Sequence, residues 1–274
     1  MMRLKYINFL IAALMALFTL ILASCGLTKS KCDCKSGPGV VSVSVKGDSL
    51  PGKTLSLTFS GGPSQVTSAI GDYLKANNIQ ATFFVRGMSV DGFEGTLQRL
   101  RSQGHLVANG GFSGRPLTEA RDVVLELRRT DELITPFVTG DLFLFRAPLG
   151  LMNQSIADEI NHAGLSKYVG SIGSDIGEDE GSFLVDDHCW QSSWSYERCT
   201  QGYLAKIRNV DHGIVLLHDT SDHTLALTKD MVTSLKNESF VFVRLDQTPT
   251  IRSRLEQSGG RPGEVAGEDA CNDY

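Results

Sequence analysis

The sequence has no excess of positive charge, few prolines and no hydrophobic run long enough for a permanent membrane span. Its 274 residues include 26 Lys and Arg against 31 Asp and Glu, a formal net charge of −5. Because a basic surface is missing, nucleic acid is not an expected partner. Only 8 prolines, 28 glycines without a fixed repeat and 41% hydrophobic residues exclude collagen-like and mostly disordered chains. The composition is that of an ordinary globular protein.

The first 24 residues predict a secretory signal peptide. Arg3 and Lys5 precede an apolar run from Phe9 to Leu22, which is 14 residues long. A helix that crosses a bilayer needs roughly 20 residues, so a cleaved leader is favoured over a permanent transmembrane helix.

The leader ends in Leu22-Ala23-Ser24-Cys25, which resembles the lipobox of bacterial lipoproteins. The resemblance implies lipidation of Cys25 and a membrane anchor in the bacterial cell envelope, since several acyl chains bind a bilayer durably. Because Gly26 rather than Asp follows the cysteine, resemblance to sorted lipoproteins favours the outer membrane, facing the periplasm. Removing residues 1–24 deletes two cations, so the mature net charge is 24 minus 31, or −7.

Five cysteines remain after Cys25, in what we expect to be an oxidising compartment. Cys189 and Cys199 are ten residues apart and flank a turn-rich segment, so they are the preferred disulfide. Cys32 and Cys34 form a CxC that could bind a metal or belong to the tail, and one of them could pair with Cys271.

The chain divides into a leader at 1–24, a lipidated tether and lead-in at 25–50, a folded domain at 51–250 and an acidic, Gly-rich tail at 251–274. In the domain, short β-branched or aromatic runs alternate with segments of helical spacing, which predicts βα units in one barrel-like domain. The predicted strands are 54–59, 81–85, 105–108, 142–145, 166–169, 213–217 and 240–243. The predicted helices are 65–77, 93–103, 117–134, 153–163, 199–209 and 224–236.

Reactive residues of a parallel α/β barrel follow its strands, so the motifs there carry the functional information. They are Thr58-Phe59-Ser60-Gly61-Gly62-Pro63-Ser64, Ala81-Thr82-Phe83-Phe84-Val85, Asn109-Gly110-Gly111-Phe112-Ser113-Gly114, Phe145-Arg146-Ala147-Pro148-Leu149-Gly150, Ser174-Asp175 and Gly213-Ile214-Val215-Leu216-Leu217-His218-Asp219. Their order and spacing over about residues 52–245 resemble the polysaccharide deacetylases, the NodB-homology or carbohydrate esterase family 4 group. The resemblance implies a distorted (β/α) barrel of about seven strands.

The resemblance also implies hydrolysis of an N-acetyl group on an amino sugar by a divalent metal, usually Zn²⁺, held by one Asp and two His. At the corresponding positions this sequence has Ser60 for the base and Gly61, Gly110 and Gly114 for the ligands. Since glycine offers no donor and serine no free proton acceptor, we expect no metal and no catalytic residues there. Replacing all four with Asp, Asp, His and His is expected to create metal binding if the pocket is otherwise intact.

Other family positions are retained. By resemblance, Arg146 orients the base, Asp175 pairs with Arg146, His218 is the catalytic histidine, and Leu149 occupies a place whose backbone N–H faces the oxyanion. Without the resemblance, Arg146 and Asp175 could equally be a buried ion pair, and His218 a histidine at a strand end.

Two further features have open interpretations. Trp190 and Trp194 could stack on sugar rings, or Trp190 could pack over the neighbouring disulfide. The segments 178–180 and 186–189 are dense in metal-ligand side chains, but such a run is more typical of a solvated acidic loop than of convergent ligands.

The favoured hypothesis is a non-catalytic envelope lipoprotein that binds peptidoglycan or another N-acetylated glycan without a cofactor. The expected ligand-binding residues are Arg146, Leu149, Asp175, Trp190 and His218. The alternative is a Zn²⁺-dependent polysaccharide N-deacetylase with an unconventional site, in which His218 is the acid and Asp175 or an acidic-loop residue is the base. A third possibility is a structural envelope protein that binds no sugar.

Overall fold

The computed structural model describes residues 38–177, 184–191 and 194–262. Cys25, the leader, the CxC segment, the acidic residues 178–180 and Cys271 lie outside the described residues. The strands are β1 (Val40–Val45), β2 (Thr54–Ser60), β3 (Thr82–Val85), β4 (Leu106–Asn109), β5 (Gly170–Ile172), β6 (Gly213–His218) and β7 (Val241–Phe242).

All strand pairs are parallel. One sheet has the order β4-β3-β2-β6, with β7 paired to the start of β2, and a second pairs β1 with β5. Isolated bridges link Asn109 to Phe145, Leu144 to Val169 and Ile176 to Val215. These bridges close the ring of strands, which confirms the predicted distorted barrel.

The helices are α1 (Thr67–Ala76), α2 (Glu94–Ser102), α3 (Val123–Ile134), α4 (Gln154–Ile160), α5 (Asp186–Gln191), α6 (Tyr196–Val210), α7 (Asp222–Asn237) and α8 (Pro249–Gln257). Polar N-caps start four of them, because a side-chain oxygen accepts a hydrogen bond from a free N–H of the first turn. These caps are Asp122, Asn153, Ser195 and Ser221. None of the helices described here combines the length and hydrophobicity that a bilayer span needs.

Side-chain alternation along β2 separates the hydrophobic core from the barrel interior. Leu55, Leu57 and Phe59 pack into the large core cluster with residues of α1, α6 and α7. Because successive strand residues face opposite sides, Thr58 and Ser60 are directed to the other face, and Thr58 is fully buried. Strands in the middle of a buried parallel sheet are usually apolar on both faces, so the polar inner face of β2 is unusual. This polar face lies directly below a pocket at the strand ends.

The structure corrects several predicted boundaries. β1 lies within the predicted lead-in, and α8 continues from the predicted domain into the predicted tail, where Ile251 and Leu255 are buried in the second core cluster. The domain therefore extends beyond 51–250 on both sides.

The predicted strands 142–145 and 166–169 are also corrected. The first forms only isolated bridges, and the second is replaced by β5 after a turn. The short helix α5 was not predicted.

Candidate functional site

The register of the barrel strands brings the candidate residues together. Ser60, the last residue of β2, is aligned with Phe84 of β3 on one side and His218 of β6 on the other. The carboxyl ends of these strands surround a pocket of about 460 Å³. Seven of the residues singled out from the sequence line it, namely Ser60, Gly61, Gly110, Gly114, Arg146, Leu149 and His218.

The three glycines at the family's metal-ligand positions have backbones that do not accommodate side chains without movement. A Cβ on Gly110 would stand 2.9 Å from the carbonyl oxygens of both Phe84 and Val85. Gly61 and Gly114 have φ values of +90° and +77°, which favour glycine. The residues present therefore do not fit the metal that the family resemblance implies.

Arg146 is buried beneath Ser60, and four of its hydrogen bonds go to neutral acceptors. Its guanidinium donates to Thr58 Oγ1 at 2.9 Å, to Ser60 Oγ at 3.2 Å, and to the carbonyl oxygens of Ile172 and Gly173. It also stacks over the Phe84 ring, 4.3 Å from the centroid. Arg146 thus keeps the place expected from the sequence, with hydroxyls where the family resemblance predicts a carboxylate.

The predicted pairing of Arg146 with Asp175 is wrong. The Asp175 carboxylate accepts hydrogen bonds from the backbone N–H groups of Gly47, at 2.9 Å, and Ile214, at 2.7 Å. Ile214 lies near the amino end of β6, whereas the pocket opens at its carboxyl end. Asp175 consequently fixes backbone below the pocket and does not line it.

The acidic partner of His218 is Asp186, the first residue of α5. Asp186 Oδ1 is 2.7 Å from His218 Nδ1, while Oδ2 accepts from the His218 backbone N–H and from Thr224 Oγ1, each at 2.8 Å. Burial lowers the pKa of His218, but the hydrogen bond and charge of Asp186, assisted by Asp187 and Asp219, outweigh it, so the pKa is raised above 6.5. The dyad favours a protonated imidazolium at the pocket wall.

Asp219, the next residue, is buried beside Gly62. Burial raises the pKa of Asp219 to about 6, although hydrogen bonds from Thr67 Oγ1 and the Gly62 N–H oppose this. These contacts fasten the loop after β2 to the end of β6. Asp219 supports the pocket from behind.

Among the described residues, one group of side chains is close enough together to hold a metal ion. It consists of Asp186, Asp187 and His218, whose ligand atoms all lie within 4.8 Å of one another. Asp187 Oδ2 is 3.9 Å from His218 Nδ1, and Asp187 Oδ1 accepts from Thr220. A metal there would compete with the three hydrogen bonds that Asp186 already accepts, in a fully buried position. The geometry is that of a hydrogen-bonded His–Asp pair.

A disulfide positions α5. Cys189 in α5 and Cys199 in α6 have sulfur atoms 2.07 Å apart, so the preferred pairing from the sequence is present. Trp190 next to it stacks with Tyr196 and His223 and packs against the core. Trp190 does not line the pocket, so its predicted role as a ligand-binding residue of this site is corrected to packing.

Leu149 lies at the rim of the pocket. It is 72% exposed and has the left-handed conformation φ 55°, ψ 17°, which a leucine rarely adopts. Such a conformation costs on the order of 1 kcal/mol and persists only where the surrounding chain imposes it. Arg86 also lines the pocket and was not selected from the sequence. Asp187 and His188 line it as well, and both belong to the segment 186–189 that the sequence marked as dense in metal-ligand side chains.

An α/β barrel with a polar pocket at the carboxyl ends of its parallel strands belongs to the class of folds whose functional sites lie at that face. Residues 47–168 match the family model described as Polysaccharide deacetylase. This match confirms the resemblance to the polysaccharide deacetylases that the sequence motifs indicated.

Similar proteins agree with this assignment. The peptidoglycan-N-acetylglucosamine deacetylase PgdA of Listeria monocytogenes is 29% identical over 201 residues, which are 71% of this chain and 38% of PgdA. The chain therefore spans well under half the length of that relative.

Solved structures share the fold. The Bc1960 peptidoglycan N-acetylglucosamine deacetylase superposes with a TM-score of 0.59 at 21% identity, over 77% of this chain and 91% of that one. BA3943 of Bacillus anthracis, described as a CE4 family pseudoenzyme, gives a TM-score of 0.58 at 17% identity, over 72% of this chain and 66% of that one.

Proposed function

We propose that this protein is a non-catalytic member of the polysaccharide deacetylase family that binds an N-acetylated glycan, such as peptidoglycan, in the pocket at the strand ends. The proposal is supported by Ser60, Gly61, Gly110 and Gly114, which line the pocket and stand where the family resemblance places the base and the three metal ligands. A volume of about 460 Å³ is in the range of small-ligand sites.

The test combines three measurements on protein in which Cys32 and Cys34 are replaced by serine, so that their thiols do not hold metal. We expect no tight Zn²⁺ site, no acetate release from peptidoglycan or chitin oligomers, and measurable binding of those oligomers. Ser60→Trp, which fills the pocket, should abolish binding, whereas Val241→Trp at the opposite end of the barrel should not. Binding that survives Ser60→Trp would refute the pocket as the glycan site.

A hydrolase is the second candidate, because the His218–Asp186 pair could protonate a leaving amine. It predicts acetate release that His218→Ala abolishes. One equivalent of Zn²⁺ lost on replacing Asp187 by Asn would favour this candidate. Acetate release without metal binding would point to a hydrolase that uses the dyad alone.

We further propose that the protein is lipid-anchored through Cys25 in the cell envelope, on the periplasmic side of the outer membrane. The support is the lipobox-like Leu22-Ala23-Ser24-Cys25 and the following Gly26. Labelling with a radioactive fatty acid should be lost in Cys25→Ala. Recovery of wild-type protein wholly in the soluble fraction would refute the anchor.

A further inference from the structure

Arg86 occupies space in the pocket that the missing side chain of residue 114 leaves open. Arg86 directly follows β3, and its backbone N–H donates to the Gly62 carbonyl at 2.8 Å. A Cβ on Gly114 would lie 2.9 Å from Arg86 Cδ and 3.7 Å from Arg86 Nη1. Glycine at 114 and arginine at 86 are therefore compatible with each other, whereas a histidine at 114 would require Arg86 to move.

The Arg86 guanidinium has a neutral hydrogen-bond partner. Its Nε donates to the Ser89 hydroxyl at 2.9 Å, and no carboxylate of the described residues lies within ion-pair distance. On the neighbouring strand end, Ser60 and Gly61 stand where the family resemblance predicts two aspartates. Two negative charges that the resemblance predicts beside this cation are therefore absent.

Among the described residues that line the pocket, the one carboxylate is on the other wall and is already engaged. Asp187 accepts a hydrogen bond from Thr220 and faces His218, whose pKa is raised. Arg146 adds a second guanidinium below Ser60. Arg86 and Arg146 thus give a cationic character to the wall formed by β2, β3 and the loop at Gly114. A metal site would instead need anionic and neutral ligands there.

We propose that this wall binds the carboxylate of an acidic amino sugar, with Arg86 as the recognising residue. A guanidinium presents parallel N–H donors that match the two oxygens of a carboxylate, and the pair is strong where water is partly excluded. This inference rests on the proposed glycan-binding function and makes it more specific. In glycan strands whose stem peptides have been removed, N-acetylmuramic acid carries a free lactyl carboxylate and N-acetylglucosamine does not, so the pocket should select the peptide-free muramic acid residue.

The experiment compares two ligands that differ only in the lactyl group, N-acetylmuramic acid and N-acetylglucosamine, by titration calorimetry or NMR on the purified protein. We expect N-acetylmuramic acid to bind about tenfold more tightly or better, as for a charge-assisted hydrogen bond, and this preference to fall as salt is added. Arg86→Gln should remove the preference, so that the two sugars bind with equal affinity. Arg86→Lys should retain part of it.

Arg115→Gln is the matched control, because Arg115 is an exposed arginine on the neighbouring loop that does not line the pocket. It should behave as wild type, and thermal melting of every variant checks folding. Equal affinity for both sugars, or a preference that survives Arg86→Gln, would overturn the inference while the proposed glycan binding stands. If neither N-acetylglucosamine nor its oligomers bind, but N-acetylmuramic acid binds in an Arg86-dependent way, the acidic-ligand site stands and the broader proposed function fails.

Discussion

Asp186 holds His218 through both its carboxylate oxygens, one on the imidazole Nδ1 and one on the backbone N–H of the same residue. The side chain and main chain of His218 are thereby fixed by one buried acid, which α5 brings into place. Tyr203 of α6 extends the contact, since its hydroxyl accepts from the Asp186 N–H and donates to the Leu216 carbonyl.

Replacing Asp186 by Asn should lower the pKa of His218, because burial then opposes protonation without a compensating negative charge. The raised pKa contributes stability that is complete below pH 6.5 and is lost as the pH rises through the folded-state pKa, so the variant should lose stability mainly at acidic pH. Removing one partner of a buried pair costs about 3 kcal/mol.

An NMR titration of the His218 ring measures this pKa. Asp187→Asn is the control and should lower the pKa of His218 by less than Asp186→Asn does, because Asp187 contributes the smaller effect. An unchanged His218 pKa would contradict the assignment.

Restoring the family's metal ligands should require a change at Arg86. The four replacements Ser60→Asp, Gly61→Asp, Gly110→His and Gly114→His leave a guanidinium beside the new site, where it repels Zn²⁺ and its Cδ crowds residue 114. Adding Arg86→Ala should tighten Zn²⁺ binding by about tenfold or more.

Calorimetric titration with Zn²⁺ measures the difference, and Arg86→Ala alone, which supplies no ligand, is the control. If the fourfold variant already binds Zn²⁺ as tightly as the fivefold one, Arg86 does not obstruct the site.

His105 should make the protein less stable as the pH falls from 6.5 towards 4. Its Nδ1 accepts from the Ala81 N–H and its Nε2 lies 3.1 Å from the Gly71 carbonyl, so a neutral ring satisfies both contacts. Burial lowers the pKa of His105 from 6.5 to about 4, with a smaller effect of Lys75. The unfolded chain therefore binds the proton first, and about 3 kcal/mol of stability is lost across that interval.

Urea unfolding at pH 4 to 7 of wild type and His105→Gln isolates this effect. The raised pKa of Asp219 contributes a slope of opposite sign, which is common to both proteins and cancels in the difference. His162→Gln, at an exposed histidine, is the control and should follow wild type. Identical pH slopes for wild type and His105→Gln would refute the prediction.

Replacing Cys189 and Cys199 by serine should destabilise the protein by about 2–3 kcal/mol, since the cross-link restricts the unfolded chain across a ten-residue separation. Because α5 carries both Asp186 and Cys189, the His218 titration should also broaden or shift. Thermal melting with and without reductant is the measurement. Reductant should lower the melting temperature of wild type and leave the double variant unchanged, and sensitivity of the double variant would show that another bond is responsible.

Much of the barrel was predictable because β2, β3, β4 and β6 are short apolar runs with clear ends. β1 was missed because Val40–Val45 pairs with β5, about 130 residues later, and local pattern gives no sign of that partner. α8 was missed although Pro249 at its first turn is a common helix-start signal. Its two buried apolar residues were too few to distinguish it from the Gly-rich tail.

The pocket was predictable from the strand ends, but the identity of the acid next to His218 was not. Asp175 and Asp186 both precede β6 in the chain, and only the folded positions show that Asp175 binds the start of the strand while Asp186 binds its end. Arg86 had no motif to mark it. The glycine at 114 makes room for Arg86, but this relation becomes visible only when the two loops are seen in contact.

Arg146 joins three separate parts of the barrel, because it bridges Thr58 of β2 and the carbonyls of Ile172 and Gly173 while stacking on Phe84 of β3. A residue with these contacts is under selection for folding whether or not any reaction takes place nearby. Loss of catalysis would not remove these contacts, whereas loss of the residue would deprive the Thr58 hydroxyl and two buried carbonyls of this donor. In relatives of this chain, an arginine at this position is therefore a marker of fold integrity, and activity has to be judged from positions 60, 61, 110 and 114.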